Sequence, residues 1–557
     1  MKRRTLLGAA AATALAACTP GGPNAAPGDP VSAMSLERKV GQLMSVAFHG
    51  SRVTSALEAM IRDKGIGGVI LYSENFSDAA SLSKLIADLS EIARLAKTIP
   101  LFFEIDQEGG AVTRIGKGAT VLPGQMALAA TPDPAQSVRT AVGIIANELN
   151  AVGVNWNLAP DGDVNDEPTN PVIGNRSFSS DPARVSSLVT AAVQAYAAAN
   201  FLCCVKHFPG HGSTTIDSHT GLPRIDADRA TLDRIELAPF RAAIAVGVPA
   251  IMSAHIVVPA LDPTPGLPVT LSKPVLTDLL RGTLGFGGVI VTDDLEMGAL
   301  QSVGEAAAGL RALQAGADFL LFRFDESAQL EGHRRIADAV RAGALPLERL
   351  EASARRIVNL KRSRSIYLGR RETPAPDLAA HAQVSLDLAR DSITLLRNRT
   401  VLPLRGRVLV IAPANPDVAV LPDQPALGTV IARKRSDAVT QTMSLKPNAS
   451  DVDRAVSAAR QSDVVVIGTT DLFANPEQAQ LVRAVANERP VCMVSLRGPY
   501  DVMTIADVPA YLCAYDGREP SLVAASEILV GERKPVGAVP VEIPGLFRIG
   551  AGMKDFG

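Results

Sequence analysis

The chain has 557 residues, 47% of them hydrophobic and 20% charged, which makes it too long for one ordinary core and too apolar to be largely disordered. With 55 basic against 57 acidic residues the formal charge is -2, which excludes the broad basic surface by which proteins hold nucleic acid. Two large domains are expected, with selectivity residing in a local site.

Lys2, Arg3 and Arg4 precede a short Leu/Ala-rich stretch that ends at Leu15-Ala16-Ala17-Cys18. The stretch is far shorter than the roughly 20 apolar residues of a transmembrane helix, so residues 1–18 read as an export signal. Leu-Ala-Ala-Cys resembles a bacterial lipobox, which implies lipidation of Cys18 and attachment to a membrane of the bacterial envelope. An ordinary signal peptide with an incidental cysteine is the alternative, and Arg3-Arg4 permits the twin-arginine route. Residues 19–34, rich in Pro, Gly and Ala, read as a flexible tether.

Eight short apolar runs follow, separated by helix-compatible segments: 45–48, 68–71, 101–105, 154–158, 202–205, 250–252, 289–291 and 319–322. Unbroken apolar runs suit parallel strands buried on both faces, and eight βα units are the count for a closed (β/α)8 barrel, here over residues 35–366. The runs lead into His49, Tyr72, Asp106, Asp161, Lys206-His207, His255, Asp293 and Arg323. In such a barrel these strand ends share one face, where the loops assemble the active site. Loops are generally wet, which accounts for some of these residues but not for the stretch from Lys206 to His219. That stretch gathers a lysine, an aspartate and three of the chain's seven histidines in one glycine-broken loop.

A helical stretch near 346–363 closes the barrel unit, and residues 367–384 read as a linker, marked early by Gly369, Arg370, Arg371 and two prolines. From 385 to 557, buried-strand candidates at 408–412, 464–467, 491–495 and 510–514 alternate with amphipathic helices at 451–461 and 475–487, predicting a three-layer α/β/α sandwich. No phosphate-binding glycine motif is present. Cys203, Cys204, Cys492 and Cys513 lie in apolar runs without C-x-x-C spacing and read as core residues, with pairing of Cys492 and Cys513 left open.

Four separated segments carry a resemblance to a known family. They are Ile105-Asp106-Gln107-Glu108-Gly109-Gly110; Asn157-Leu158-Ala159-Pro160 running on to the stretch from Asn170 to Phe178; the Lys206 to His219 loop; and Val291-Thr292-Asp293-Asp294-Leu295-Glu296-Met297. Together they make the barrel resemble glycoside hydrolase family 3 in its β-N-acetylglucosaminidase branch. The stretches from Ala389 to Asn398 and from Val539 to Pro544 extend the resemblance loosely into the second domain.

The resemblance implies that Asp293 is the nucleophile that attacks the anomeric carbon, through an oxocarbenium-like transition state. Alternation along an extended segment turns Asp294 away, as a packing or capping carboxylate. In place of a second carboxylic acid this branch resembles enzymes with a His-Asp pair, here His219 and Asp217. A histidine titrates near neutrality, so it can protonate the leaving oxygen and take a proton back from water, with Asp217 orienting the ring and favouring its charged form. Asp106, Arg114, Arg176, Lys206 and His207 carry over as sugar contacts. The sequence departs at Ala111, where relatives commonly carry Arg. His207, His211 and His219 could also be read as zinc ligands, but Pro209, Gly210 and Gly212 break the helix that would align the first two. His211 is expected to support the loop, and His255 to act either as a support or at a subsite.

The function this implies is an exported, lipid-anchored, retaining exo-β-N-acetylglucosaminidase. Its ligand is a small carbohydrate, a peptidoglycan fragment carrying N-acetylglucosamine, and no metal or organic cofactor is implied. A phosphorylase using the same site is the alternative, because a histidine does not repel an incoming phosphate as a carboxylate would. A non-catalytic sugar-binding lipoprotein is more remote, since Asp293, Asp217 and His219 are all present.

Overall fold

The computed structural model describes residues 29–364, 366, 374–414 and 424–557. The expected export signal with Cys18 and most of the expected tether lie outside the described residues, as do residues 367–373 of the expected linker.

Eight parallel strand positions make the barrel: Met44–Val46, Gly68–Ile70, Phe102–Ile105, Trp156–Asn157, Leu202–Cys203 continued by Val205–Phe208, Ala250–Ser253, Val289–Thr292 and Leu320–Phe322. Ser45 pairs with Gly68 on one side and Leu321 on the other, so the first strand joins the second and the last. The fourth and fifth positions pair at Trp156 with Leu202 and Asn157 with Cys203, extended by a bridge from Asp161 to Lys206, and a single bridge from Val291 to Phe319 joins the seventh to the eighth. Each predicted apolar run overlaps one of these strands, and every strand residue is buried, which is why the runs are unbroken rather than alternating. One boundary differs. The fifth strand runs on through Lys206 and His207, so these polar side chains are part of the barrel wall.

The N-terminal end of the barrel is plugged. Phe102 meets Trp156 at 4.6 Å and Phe319 at 5.7 Å, both edge-on. Lys361, from the helix Leu347–Ser363, lies beneath them and donates from Nζ to the carbonyl of Gly67 at 2.7 Å and to Gln42 at 3.1 Å. With this end filled, the C-terminal strand ends are the face left for chemistry.

The second domain is a six-stranded sheet in the order Thr394–Asn398, Ala510–Cys513, Val491–Ser495, Val464–Thr469, Val408–Pro413, Val439–Met443. The first pair is antiparallel and the rest parallel. One face packs on Leu427–Lys434 and Glu519–Leu529, the other on Ala449–Arg460 and Pro476–Ala486, giving the expected three layers. The two edge strands had no sequence prediction. Val439–Met443 buries only Met443, so it shows no apolar run.

The helix Leu378–Ser392 occupies the second half of the stretch expected to be linker. Asp377 caps it by accepting from the Ala380 N–H, and Ser385, Leu388 and Ala389 are buried. Cys203, Cys204, Cys492 and Cys513 are buried free thiols, which closes the question of a disulfide.

Candidate active site

The ends of strands three to five carry a dense ionic network. Lys206 Nζ lies 2.8 Å from Asp106 and 2.7 Å from Glu108. Arg114 reaches the other oxygen of Asp106 at 3.3 Å, while Arg176 grips both oxygens of Glu108 at 2.9 and 3.0 Å. Burial disfavours the charge of Asp106 and Glu108, but Lys206 with Arg114, and Arg176 with Lys206, outweigh it and hold both carboxyls well below their usual range. Burial likewise works against the ammonium of Lys206, yet Asp106 and Glu108 keep it charged. The network is therefore a fixed set of charges at the strand ends, of the kind able to accept from and donate to hydroxyl groups. Glu108 was not singled out from sequence. Its position two residues after Asp106 was the available signal.

His207 belongs to a second cluster. Its Nδ1 lies 2.7 Å from Asp163, and its Nε2 lies 3.4 Å from Arg176, which places the ring edge toward the charged network. Asp161, Asp163 and His207 bring metal-ligand-type atoms within 4.8 Å of one another. Protein groups already meet these carboxylates, since the His207 ring bonds Asp163 and Arg176 lies 3.8 Å from Asp161. Both ring nitrogens of His211 are engaged, by Thr214 at 2.7 Å and Ser218 at 2.9 Å, so the three-histidine zinc set does not form.

Asp293 follows the seventh strand. Its N–H donates to Ser253 at 3.1 Å, and its Oδ1 accepts from the Asp294 N–H at 2.8 Å. Burial opposes its charge, but His207, His255, the Asp294 N–H and Lys206 outweigh this and hold the carboxyl below its usual range. Asp294 faces the other way, toward Arg323 at 3.3 Å, as alternation predicts, and burial pushes its carboxyl up to about 7. His255 is buried, bonded to Thr270 at 2.8 Å and to the Asp294 carbonyl at 2.9 Å. With both nitrogens occupied it supports the chain at Asp293 rather than offering a donor to a ligand.

The loop after the fifth strand crosses to Asp293. His219 Nδ1 lies 2.7 Å from Asp217, whose same oxygen accepts the His219 N–H at 2.9 Å. The Asp217 bond raises the imidazole's pKa against partial burial, and the charge of Asp293 acts in the same direction. The loop docks on the segment after Asp293, with Ala299 N–H donating to Ser218 and Gly298 N–H to His219, each at 3.2 Å. Only glycine permits this approach, because a Cβ at 298 would stand 2.6 Å from the His219 carbonyl. The sandwich domain meets the barrel at Ala111, where Arg518 donates to the Ala111 carbonyl at 3.1 Å.

Known proteins resemble this chain over both of its domains. The profile of the glycosyl hydrolase family 3 N terminal domain matches residues 35–360, and that of the family's C-terminal domain matches residues 393–547. Beta-hexosaminidase A of Pseudoalteromonas piscicida is 33% identical over 545 residues, 87% of this chain and 91% of that protein. A beta-hexosaminidase of Alkalilimnicola ehrlichii is 37% identical over 288 residues, 51% of this chain and 80% of its own length. The solved structure of a glycoside hydrolase family 3 beta-N-acetylglucosaminidase from Paenibacillus sp. str. FPU-7 is similar over 92% of this chain and 99% of its own, with a TM-score of 0.87 and 36% identity. With both domains matched and most of its length covered at this identity, the chain is a glycoside hydrolase and belongs to glycosyl hydrolase family 3.

Proposed function

We propose that the protein is a retaining exo-β-N-acetylglucosaminidase in which Asp293 is the nucleophile and His219, backed by Asp217, is the acid and base. The observation that carries this reading is the docking of the His219 loop on the segment after Asp293, which brings a hydrogen-bonded His-Asp pair to a strand-end carboxylate. In the first step the Asp293 carboxylate bonds to the anomeric carbon while the glycosidic C–O bond breaks, and the leaving oxygen takes the proton of the His219 imidazolium. In the second, the neutral imidazole takes a proton from water, the water oxygen bonds to the anomeric carbon, and Asp293 is released. Asp106, Arg114, Arg176, Lys206 and His207 hold the sugar.

A chromogenic N-acetylglucosaminide should be turned over far faster than the matching glucoside, and equal rates would remove the substrate assignment. Asp293→Ala should abolish turnover, and a 2-fluoro sugar with a good leaving group should label Asp293; a label on Asp294 would overturn the role. Because the proton donor is a histidine, phosphate is a second candidate acceptor. Product analysis in phosphate and in an inert buffer separates sugar phosphate from free sugar. The substrate is proposed to be a peptidoglycan fragment, met at the envelope by a chain anchored through Cys18. Cys18→Ser should release the exported protein from the membrane, and a wholly soluble wild type would count against the anchor.

A further inference from the structure

The loop that carries His219 is tied down unevenly. At its root, Asn170 donates from Nδ2 to the carbonyls of His211 and Gly212, both at 2.9 Å, and a Cβ at Gly212 would collide with the Val164 carbonyl. At its tip, Thr215, Ile216 and His219 are exposed. Between the two lies the buried ring of His211, whose nitrogens reach forward to Thr214 and to Ser218, the residue before His219. The His211 N–H in turn donates to Asp163 Oδ1 at 2.8 Å. That same oxygen accepts the His207 N–H at 3.2 Å, and Oδ2 bonds the His207 ring at 2.7 Å. Asp163, fully buried, thus serves two masters: a ring on the wall of the sugar pocket and the residue that holds the loop.

We propose that Asp163 and His211 form a brace that positions the His219-Asp217 pair for proton transfer and joins that position to the sugar-holding ring of His207. The proposal rests on the reading of His219 as acid and base. An unbraced loop leaves nucleophilic attack intact but sets the proton donor at the wrong place, and loss of position by about 1 Å is enough to cost on the order of 10²-fold in rate. His211 and Asp163 are positioning residues, because neither is required to touch the substrate. They differ in one respect. His211 acts on the loop alone, whereas Asp163 also holds His207 and so acts on binding.

The test is a series of aryl N-acetylglucosaminides of graded leaving-group acidity, run on the full chain and on His219→Ala, His211→Phe and Asp163→Asn. His211→Phe should lose roughly ten- to a hundred-fold in kcat on the poorest leaving group, a part of the roughly 10²- to 10⁴-fold that general acid-base help is worth. On the most activated substrate its kcat/KM, which reports only the steps up to departure of the leaving group, should stay within about two-fold of wild type. Asp163→Asn should repeat this leaving-group dependence and add a several-fold rise in KM on the poorest leaving group, where the first step limits turnover. Should His211→Phe fold poorly, as read by its melting temperature, Ser218→Ala removes one of the two ring bonds and should show a smaller loss of the same shape. A steep dependence in His219→Ala beside a flat one in both His211→Phe and Ser218→Ala overturns the brace alone. A flat dependence in His219→Ala overturns the acid-base reading, and the brace with it.

Discussion

Asp217 works on His219 through one hydrogen bond whose effect has a definite sign. The bond favours the charged imidazole and raises its pKa, so the proposed proton donor keeps its proton to higher pH than a free histidine would allow. Asp217→Asn should therefore move the basic limb of the kcat profile on a poor leaving group to lower pH. The acidic limb, assigned to the depressed carboxyl of Asp293 as the proposed nucleophile, should stay in place. An unmoved basic limb would show that Asp217 does not tune the donor. The pairing of Asp217 with His219 and the place of Asp293 at a strand end were legible in sequence because each sits in a short local motif. Glu108 and Asp163 were not, because their partners lie 68 and 44 residues away and only the closed barrel brings them together.

At the scale of elements, the barrel strands were legible because parallel strands buried on both faces leave uninterrupted apolar runs. Val439–Met443 left no such trace because it is an edge strand with one buried residue. The fifth strand was cut short in the reading for a different reason: its last residues include a lysine and a histidine that the barrel buries only by surrounding them with carboxylates. Between elements, the close contact at Gly298 was invisible to sequence patterning. Gly298→Val places a side chain against the His219 carbonyl and should lower kcat on poor leaving groups by at least about ten-fold, since small displacements of a catalytic group are costly. Labelling of Asp293 by a 2-fluoro sugar with a good leaving group should persist in this variant, and its loss would indicate damage beyond the loop.

For the whole molecule, two domains were foreseen but not how they join. In the barrel helix Gln125–Ala130, Met126, Ala127 and Ala130 belong to the same buried apolar cluster as Leu409, Val465 and Tyr511 of the sandwich. Asn165 donates to the Tyr500 hydroxyl at 3.0 Å and Asn175 to the Tyr515 carbonyl at 2.8 Å, so loops on the active-site face lean on the second domain. Such contacts between distant segments carry no local signature. Met126→Ala should cost about 2–5 kcal/mol, the range for a fully buried large-to-small change, and should lower the melting of both domains together. Two separated transitions, with only the sandwich shifted, would show that the domains are energetically independent.

The filled end of the barrel sets the traffic of the reaction. Phe102, Trp156, Phe319 and Lys361 fill the N-terminal end, so a substrate held at the opposite strand ends is expected to arrive, and the cleaved sugar to depart, on the side of the loop that bears His219. A product that must leave by the door its successor uses stands in that successor's way. Free N-acetylglucosamine should accordingly inhibit in strict competition with substrate, raising KM while leaving kcat untouched.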